Sequence, residues 1–205
     1  MGKMKRYWQV LLAGLFILVI GVTPILGADA NPNNYVVGKI GFYTPTSSDL
    51  SGYDTGFNTE VAFGHYFTPN FALEGAIGYY QTKGDVIVVD QGFLYPADEK
   101  IEIMPVTLSL RVSIPITRLE LYGIGGIGAY YIYDRIELKY DRYHDYISDD
   151  KTALGFHLGG GLNFNISRRF FVGVEVKYVW LNATLYGQDV NLGGVRGTGN
   201  FGFRF

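Results

Sequence analysis

Residues 101–114 read IEIMPVTLSLRVSI, and from Met104 onwards apolar and polar side chains alternate. Successive side chains of a β-strand point to opposite faces, so this period of two predicts a strand with one apolar and one polar face. The apolar face comprises Met104, Val106, Leu108, Leu110, Val112 and Ile114. The polar face comprises Thr107, Ser109, Arg111 and Ser113.

Seven further segments read as strands by the same criterion, whereas residues 31–205 contain no convincing amphipathic helix. Most of the segments exceed the mean strand length of soluble proteins. Each can supply the roughly 9–11 residues that a tilted strand needs to cross a bilayer. The predicted strands are 35–44, 55–67, 70–82, 101–114, 119–133, 152–166, 170–183 and 191–205.

The connections between these strands alternate in length. Three of them are tight turns, with the sequences FTPN, PITR and SRR. The other four are longer and rich in Asp, Ser, Gly and Tyr: 45–54, 83–100, 134–151 and 184–190. Short turns at one end and long loops at the other are typical of an outer-membrane barrel, with the turns in the periplasm and the loops outside the cell.

Charged residues lie on the polar faces of the strands. An Arg or Lys facing lipid near the bilayer midplane costs about 2–4 kcal/mol, and several together would rival the ~5–15 kcal/mol that stabilises a domain. In a membrane barrel these side chains must therefore face the lumen. The predicted lumen charge network is Lys39, Glu60, Glu74, Arg111, His157, Glu175, Lys177 and Arg196.

Two arrangements of these charges are open. They pair and fill the interior, or they line a thin polar path. An eight-stranded barrel is only just wide enough for its own side chains, and opposite charges fall at similar heights on neighbouring strands, as with Glu74 and Arg111. The size argument favours the filled interior.

The N-terminus has the features of a secretory signal peptide. Lys3, Lys5 and Arg6 precede an uncharged apolar segment, and small residues follow at Ala28 and Ala30. A spanning helix needs about 20 apolar residues, and Pro24 interrupts this run. We expect a signal peptide at 1–28, with cleavage after Ala28 or Ala30, and one barrel domain at 31–205.

The composition excludes several classes of site. The chain has no cysteine and a formal net charge of −2, which argues against thiolate metal sites and against nucleic acid as a partner. Four aspartates of the predicted loop 134–151, Asp141, Asp145, Asp149 and Asp150, match no calcium-loop spacing. We expect a solvated loop there, and neither a metal nor a cofactor.

The chain ends NFGFRF, with Phe201, Phe203 and Phe205 alternating and Phe205 terminal. This pattern resembles the C-terminal signal by which the outer-membrane assembly machinery recognises its substrates. Together with a signal peptide, it favours a membrane barrel over a soluble one, and it makes the barrel assembly machinery an expected partner.

Long stretches of the chain resemble the small porin-like outer-membrane barrels, a family similar to the OmpW-type and OmpA-type eight-stranded barrels. The stretches are TGFNTEVAFGHYFTPNFALEGAIGYY, IMPVTLSLRVSIPI, LYGIGGIGAYY, GFHLGGGLNFNISRRFFVGVEVKY and TGNFGFRF. The resemblance covers nearly all of residues 35–205. It implies a barrel in the bacterial outer membrane, and OmpW-type barrels imply uptake of small hydrophobic compounds.

The stretch LYGIGGIGAYYIYD (121–134) spaces Gly123, Gly125 and Gly128 as G-x-G-x-x-G, the fingerprint of a dinucleotide-binding loop. That motif needs a helix directly after it, and the tyrosine- and isoleucine-rich residues here favour a strand. We expect inner-wall glycines that make room for long side chains across the lumen. Gly155, Gly159, Gly160 and Gly161 are expected to do the same.

Catalytic candidates are weak. His65 has the outward parity of its strand, His157 the inward parity, and His144 lies in a loop with Asp145 and Ser148. Residues of a flexible acidic loop do not form a positioned triad. The sequence therefore predicts no enzyme, although a lipid-modifying enzyme remains the alternative.

Aromatic residues are expected to form two membrane girdles. The predicted periplasmic girdle is Phe67, Phe71, Tyr122, Phe170 and Phe205. The predicted outer girdle is Tyr43, Tyr79, Tyr80, Tyr130 and Trp180. On the fifth strand the two faces are similar, so which of its side chains face lipid is open.

The sequence thus predicts an all-β, eight-stranded antiparallel up-and-down transmembrane β-barrel. The expected role is structural or passive and porin-like, with uptake of small hydrophobic solutes as the specific form. Adhesion through the long extracellular loops is a third alternative. The expected partners are outer-membrane lipid, lipopolysaccharide and a small hydrophobic solute, and the expected state is a monomer.

Overall fold

A computed structural model of the chain describes residues 33–90, 93–139 and 144–205. The predicted signal peptide at 1–28 lies outside the described residues. In the described ranges, no helix is long and apolar enough to cross a membrane. The described strands are β1 Asn34–Pro45, β2 Gly56–Tyr66, β3 Phe71–Asp90, β4 Phe93–Ile116, β5 Leu119–Lys139, β6 His144–Asn165, β7 Phe170–Leu185, β8 Gln188–Asn191 and β9 Gly194–Arg204.

Eight of these strands close into a barrel. From β1 to β7 each strand pairs antiparallel with the next, and β9 closes the wall between β7 and β1. Strand β8 pairs with β7 as a short hairpin. Closure leaves the main sheet without an open edge, which solves the problem of unpaired backbone groups in lipid. The predicted eight-stranded antiparallel up-and-down barrel is confirmed.

The polarity of β4 reverses along its length. We call the end of the barrel near the three tight turns the lower end. In the lower part of β4, from Ile114 to Val106, the outward side chains are apolar and exposed and the inward side chains are polar. In the upper part, Ile103 and Ile101 are buried inside the wall, and Glu102 pairs with Lys100 on the outside at 2.8 Å. The lower barrel is therefore suited to lipid and the upper barrel to water.

Strand β7 reverses in the same way. Its lower part exposes Val174 and Val176 and buries Glu175, whereas its upper part buries Leu181 and Leu185. The level of Glu102 on β4, which pairs with Tyr133 of β5, marks the upper limit of the apolar outer surface. Residues above this level lie outside the membrane-spanning part of the barrel.

The three tight turns lie at the lower end, as expected. Two of them are closed by a hydroxyl: Thr68 Oγ1 accepts a hydrogen bond from the Phe71 amide, and Ser167 Oγ accepts one from the Phe170 amide, both at 3.0 Å. Such side-chain bonds take the place of strand ladder bonds where the chain reverses.

The prediction of long irregular loops at the upper end is wrong. Most of 83–100 continues β3 and β4, and most of 134–151 continues β5 and β6. Within 45–54 there is a 3₁₀ turn at Ser48–Leu50. In 184–190 the chain makes a two-residue turn, with φ of 49° at Tyr186 and 79° at Gly187. The strands were predicted too short because the residues that continue them are rich in Asp, Ser, Gly and Tyr, a composition that indicates loops.

Strand β5 turns Tyr122, Ile124, Tyr130 and Ile132 inward, where all are buried, and Leu121 and Ile127 outward. This parity corrects the prediction for the glycines. Among the seven, Gly128, Gly155, Gly159 and Gly161 have an inner side chain against them, whereas Gly123, Gly125 and Gly160 face outward. No helix follows Gly128, so the dinucleotide interpretation is excluded.

Candidate functional site

The lumen of the lower barrel holds a cluster of ionised side chains around Lys39 of β1. Its Nζ lies 2.9 Å from Glu60 Oε1, 2.8 Å from Glu74 Oε1 and 3.1 Å from Glu175 Oε1. Each of these side chains is at most 1% exposed. The three carboxylates come from β2, β3 and β7, so Lys39 joins walls on both sides of the barrel.

Glu60 connects this cluster to two further cations. Its Oε1 lies 2.8 Å from Lys177 Nζ and its Oε2 2.7 Å from Arg196 Nη2. Lys177 and Arg196 are directly opposite each other on β7 and β9, and Glu60 separates these two like charges. Arg196 also donates to Asn58 Oδ1 at 2.8 Å.

Arg111 forms a second group nearer the tight turns. The sequence suggests Glu74 as its neighbour, and the two do meet at 3.9 Å. The closer partner is Glu120 at the start of β5, at 2.5 Å. Glu120 also pairs with Arg204 of β9. These charges, with the hydroxyls of Tyr66 and Ser113, fill the lower mouth of the lumen.

Sequence reasoning missed Glu120 and Arg204. Glu120 is the second residue of β5. The two faces of this strand are similar in sequence, so the alternation did not show that Glu120 faces inward. Arg204 stands between the phenylalanines of the C-terminal pattern and has the same inward parity as Asn200 and Gly202. That parity could have revealed it.

Tyrosines line the same lumen and complete the hydrogen bonding of its carboxylates. Tyr35 donates to Glu74 at 2.6 Å and Tyr122 donates to Glu175 at 3.0 Å. The Arg111 guanidinium carbon lies 3.5 Å from the centre of the Tyr122 ring, a cation–π contact. A buried ion pair is tolerable when further hydrogen bonds satisfy its remaining atoms, and the tyrosines supply them.

His157 is in the lumen but forms no ion pair within the described part of the chain. Its Nε2 lies 2.8 Å from Ser109 Oγ, and its Nδ1 has no hydrogen-bond partner among the residues that the structure describes. The structure therefore brings seven of the eight predicted network residues into one set of ion pairs, and His157 lies beside them as a hydrogen-bonding neighbour.

Above the charges the lumen is closed by an apolar cluster, the plug. Leu50 of the 3₁₀ turn and Leu192, which precedes β9, enter the barrel mouth from two connections. The Tyr43 hydroxyl donates to the Leu192 carbonyl at 2.8 Å. The buried members of the plug are Tyr43, Leu50, Tyr80, Ile101, Ile103, Tyr130, Ile132, Val179, Leu181, Ala183, Leu185 and Leu192.

The plug corrects the predicted outer girdle. Tyr43, Tyr80 and Tyr130 are fully buried inside the barrel, so they do not face lipid. Tyr122 is likewise 4% exposed and leaves the periplasmic girdle. These errors have one cause: an aromatic residue near a strand end was assumed to face outward, and side-chain parity places these four inside.

Phe67, Phe71, Phe170 and Trp180 are exposed on the outer surface, as a girdle requires. Phe170 lies against Phe201 and Phe203, with ring centroids 6.1 and 5.1 Å away. Phe203 stacks on Phe205. The three C-terminal phenylalanines thus belong to one aromatic surface near the tight turns, and their role as an assembly signal stays a prediction.

Of the remaining histidines, His65 has a described side chain and His144 does not. His65 faces outward, and its Nδ1 lies 2.8 Å from Asn34 Oδ1. His144 and Asp145 begin β6, but their side chains lie outside the described residues, as does Asp141. Among the described residues, no group of three or more His, Cys, Asp or Glu is arranged to hold a metal ion.

The comparisons with known proteins agree with this geometry. The profile of the family "Outer membrane protein beta-barrel domain" matches residues 13–197. No curated protein sequence is significantly similar to the chain.

Three solved outer-membrane barrels have similar structures. OprG from Pseudomonas aeruginosa has a TM-score of 0.57 at 15% identity, covering 85% of this chain and 97% of its own. Neisserial surface protein A has a TM-score of 0.54 at 13% identity, covering 86% and 100%. A major outer membrane protein from Thermus thermophilus has a TM-score of 0.53 at 13% identity, covering 84% and 98%. At these low sequence identities, the similarity shows a shared fold and nothing further.

Proposed function

The chain belongs to the outer membrane protein beta-barrel domain family, and on that basis we propose that it is a structural, non-conducting barrel of the bacterial outer membrane that presents two long β-hairpins at the cell surface. The tight turns face the periplasm and the acidic hairpins face outward. Its partners are outer-membrane lipid, lipopolysaccharide and, during biogenesis, the barrel assembly machinery. It acts as a monomer.

The observation that carries this proposal is the occupied lumen. Arg111, Glu120 and Arg204 fill the lower mouth, the Lys39 and Glu60 ion pairs span the middle, and the plug covers the top. A water-filled path would need several of these buried pairs to open at once, and each broken pair leaves an uncompensated buried charge.

Planar-bilayer recording tests the proposal. The chain, refolded into detergent and shown to be folded by its gel mobility with and without boiling, should give no discrete conductance steps. A known porin reconstituted in the same bilayers is the positive control. Discrete steps that change on Arg111→Ala would refute the proposal, because they would place an open polar path beside that guanidinium.

Uptake of a small hydrophobic solute is the second candidate, supported by an apolar groove of about 680 Å³ on the outer wall. The groove runs over Gly123 and Gly160 between the outward side chains of Leu121, Leu162 and Val176. A Cβ at Gly123 would have 3.9 Å to its nearest atom, so there is room for a larger side chain. A solute in this groove would move along the wall and bypass the lumen.

Filling the groove tests this candidate. Gly123→Leu should slow uptake of a hydrophobic fluorescent dye by cells that carry the protein. Gly75→Leu, at another outward glycine with no atom within 4 Å of its Cβ position, should leave uptake unchanged. Equal uptake by both variants and by cells without the protein would remove the candidate.

We propose no enzymatic activity. The Ser109–His157 pair lies in the occupied lumen, and the unpartnered Nδ1 of His157 lacks the third group that orients a catalytic imidazole.

A further inference from the structure

At the upper edge of the plug, the inner wall carries a buried carboxylate. Asp134 of β5 lies opposite Ile101 of β4 and Asp149 of β6, above the level of Glu102. Its side chain points inward and the residue is 1% exposed. Neither of its two oxygens has a hydrogen-bond partner among the described residues. A buried carboxylate in this condition is costly unless something neutralises it.

The nearest ionisable neighbour has the same charge. Glu99 lies two residues from Ile101, the β4 partner of Asp134, so the two carboxylates are diagonal neighbours on the same face of the wall. Asp149 is a third carboxylate close by, and it accepts the Tyr186 amide at 3.0 Å. Burial, and after it the Glu99 carboxylate, raises the pKa of Asp134 to about 8.

The described basic side chains nearby do not neutralise this pair. Lys100 binds Glu102 on the outer face at 2.8 Å. Lys151 lies 3.8 Å from Asp149. The Arg135 guanidinium lies over the Tyr133 ring, which has outward parity. Lys83, Lys100 and Arg135 line one surface pocket with Glu99, but all three have outward parity. Among the described residues, no Lys or Arg side chain forms an ion pair with the inward carboxyl of Asp134.

We propose that Asp134 and Glu99 together bind one hydrated divalent cation of the hard, oxygen-preferring class, with Mg²⁺ as the best fit. Mg²⁺ is commonly held by about one or two carboxylates and keeps several of its waters. This coordination needs only the two carboxylates of Asp134 and Glu99. Among the described residues, no group of three or more possible metal ligands is present. The proposal departs from the sequence-based expectation of no metal.

The cation would link β4 and β5 through one carboxylate from each strand. Asp134 and Glu99 belong to different hairpins, β5–β6 and β3–β4, and Tyr53 belongs to the connection after β1. Tyr53 in turn packs against the plug and pairs with Gly84 of β3. Binding at this point would join both surface hairpins to the plug.

Electron paramagnetic resonance with Mn²⁺, a hard cation that suits the same oxygen ligands as Mg²⁺, tests the proposal on the full refolded chain at pH 8. We expect one bound Mn²⁺ per chain, displaced by added Mg²⁺. Asp134→Asn should weaken binding by at least about tenfold, since it removes a ligand charge. Asp150→Asn, the same change on the adjacent outward position of β6, should leave affinity nearly unchanged.

Both variants are first checked for the folded form by gel mobility, and Glu99→Gln replaces Asp134→Asn if the latter does not fold. Equal weakening by Asp134→Asn and Asp150→Asn would overturn the proposal in favour of diffuse attraction to acidic hairpins. Absence of Mn²⁺ binding, with a proton released near pH 8 by the parent chain and not by Asp134→Asn, would overturn it in favour of a shared proton.

Discussion

Glu60 has more cationic partners than a single carboxylate needs. Lys39, Lys177 and Arg196 approach it from β1, β7 and β9, at 2.9, 2.8 and 2.7 Å, and it is 2% exposed. Its removal would leave Lys177 and Arg196 opposite each other without the charge between them. Its contribution therefore comes from the set of partners and exceeds that of any one bond.

We expect Glu60→Gln to lower the free energy of unfolding by about 3–5 kcal/mol, the usual cost of leaving a buried charge unpaired. Glu102→Gln, which breaks a partly exposed pair with Lys100, should cost about 0–1 kcal/mol. Denaturant unfolding in lipid vesicles measures both.

The double variant Glu60→Gln/Lys177→Met should lose less stability than the sum of its two single variants, because it removes a cation that the first change leaves unpaired. Simple additivity in this cycle would contradict the pairing.

Glycine is required at particular inner positions, and Gly64 of β2 illustrates why. A Cβ there would lie 2.0 Å from the Tyr35 ring, which hydrogen bonds to Glu74. We expect Gly64→Ala to displace Tyr35 and to lower the denaturation midpoint. Gly75→Ala on the outward face of β3, where no atom lies within 4 Å of the new Cβ, should leave the midpoint nearly unchanged. Equal shifts would mean that strand propensity, and not the ring contact, decides.

At the scale of elements, the strands continue beyond the membrane-spanning part, and the polarity of their two faces reverses there. On β4 the buried side is polar at Ser109 and Arg111 and apolar at Ile103 and Ile101. The pattern within each part is a regular alternation, so each part reads as a strand. The junction near Ile103 breaks the alternation, and the predicted strand 101–114 extends only two residues beyond it, whereas β4 begins at Phe93. Above the membrane, the inward apolar side chains are buried because they pack in the plug, whose residues come from distant parts of the chain.

The β7–β8 hairpin depends on backbone conformation at its turn. Tyr186 and Gly187 both have positive φ, at 49° and 79°, as a type I′ turn requires. We expect Gly187→Val to cost about 1–2 kcal/mol of stability, since a β-branched residue resists this conformation. Gly187→Asn should cost less, because asparagine tolerates it. A smaller shift of the denaturation midpoint for Val than for Asn would refute this account.

At the scale of the whole molecule, the outward surface defines how the barrel sits in the bilayer. On β4 the exposed apolar residues run from Val106 to Ile116, and Glu102 begins the polar surface. Leu110 then lies near the middle of the apolar surface and Ile116 at its lower edge.

We expect Leu110→Arg to lower the free energy of unfolding in vesicles by about 2–4 kcal/mol, and Ile116→Arg by ~0–1 kcal/mol, because the cost of a lipid-facing arginine falls from the midplane to the interface. Comparing folded fractions across a denaturant series measures the difference. A larger loss for Ile116→Arg would show that the apolar surface is centred elsewhere.

The sequence by itself determined the number of wall strands, their antiparallel order and which face of most strands meets lipid, because a period of two is a local property that each segment carries alone. It also located seven of the charges that pair, since charge on a lipid-facing side is too costly to persist. Only the tertiary structure decided which charges meet, and it added Glu120 and Arg204. It alone revealed the plug, the orientation of β5 and the enclosed pair of Asp134 and Glu99. These depend on barrel closure and strand register, which bring together residues far apart in the chain and leave no periodic signal within any one segment.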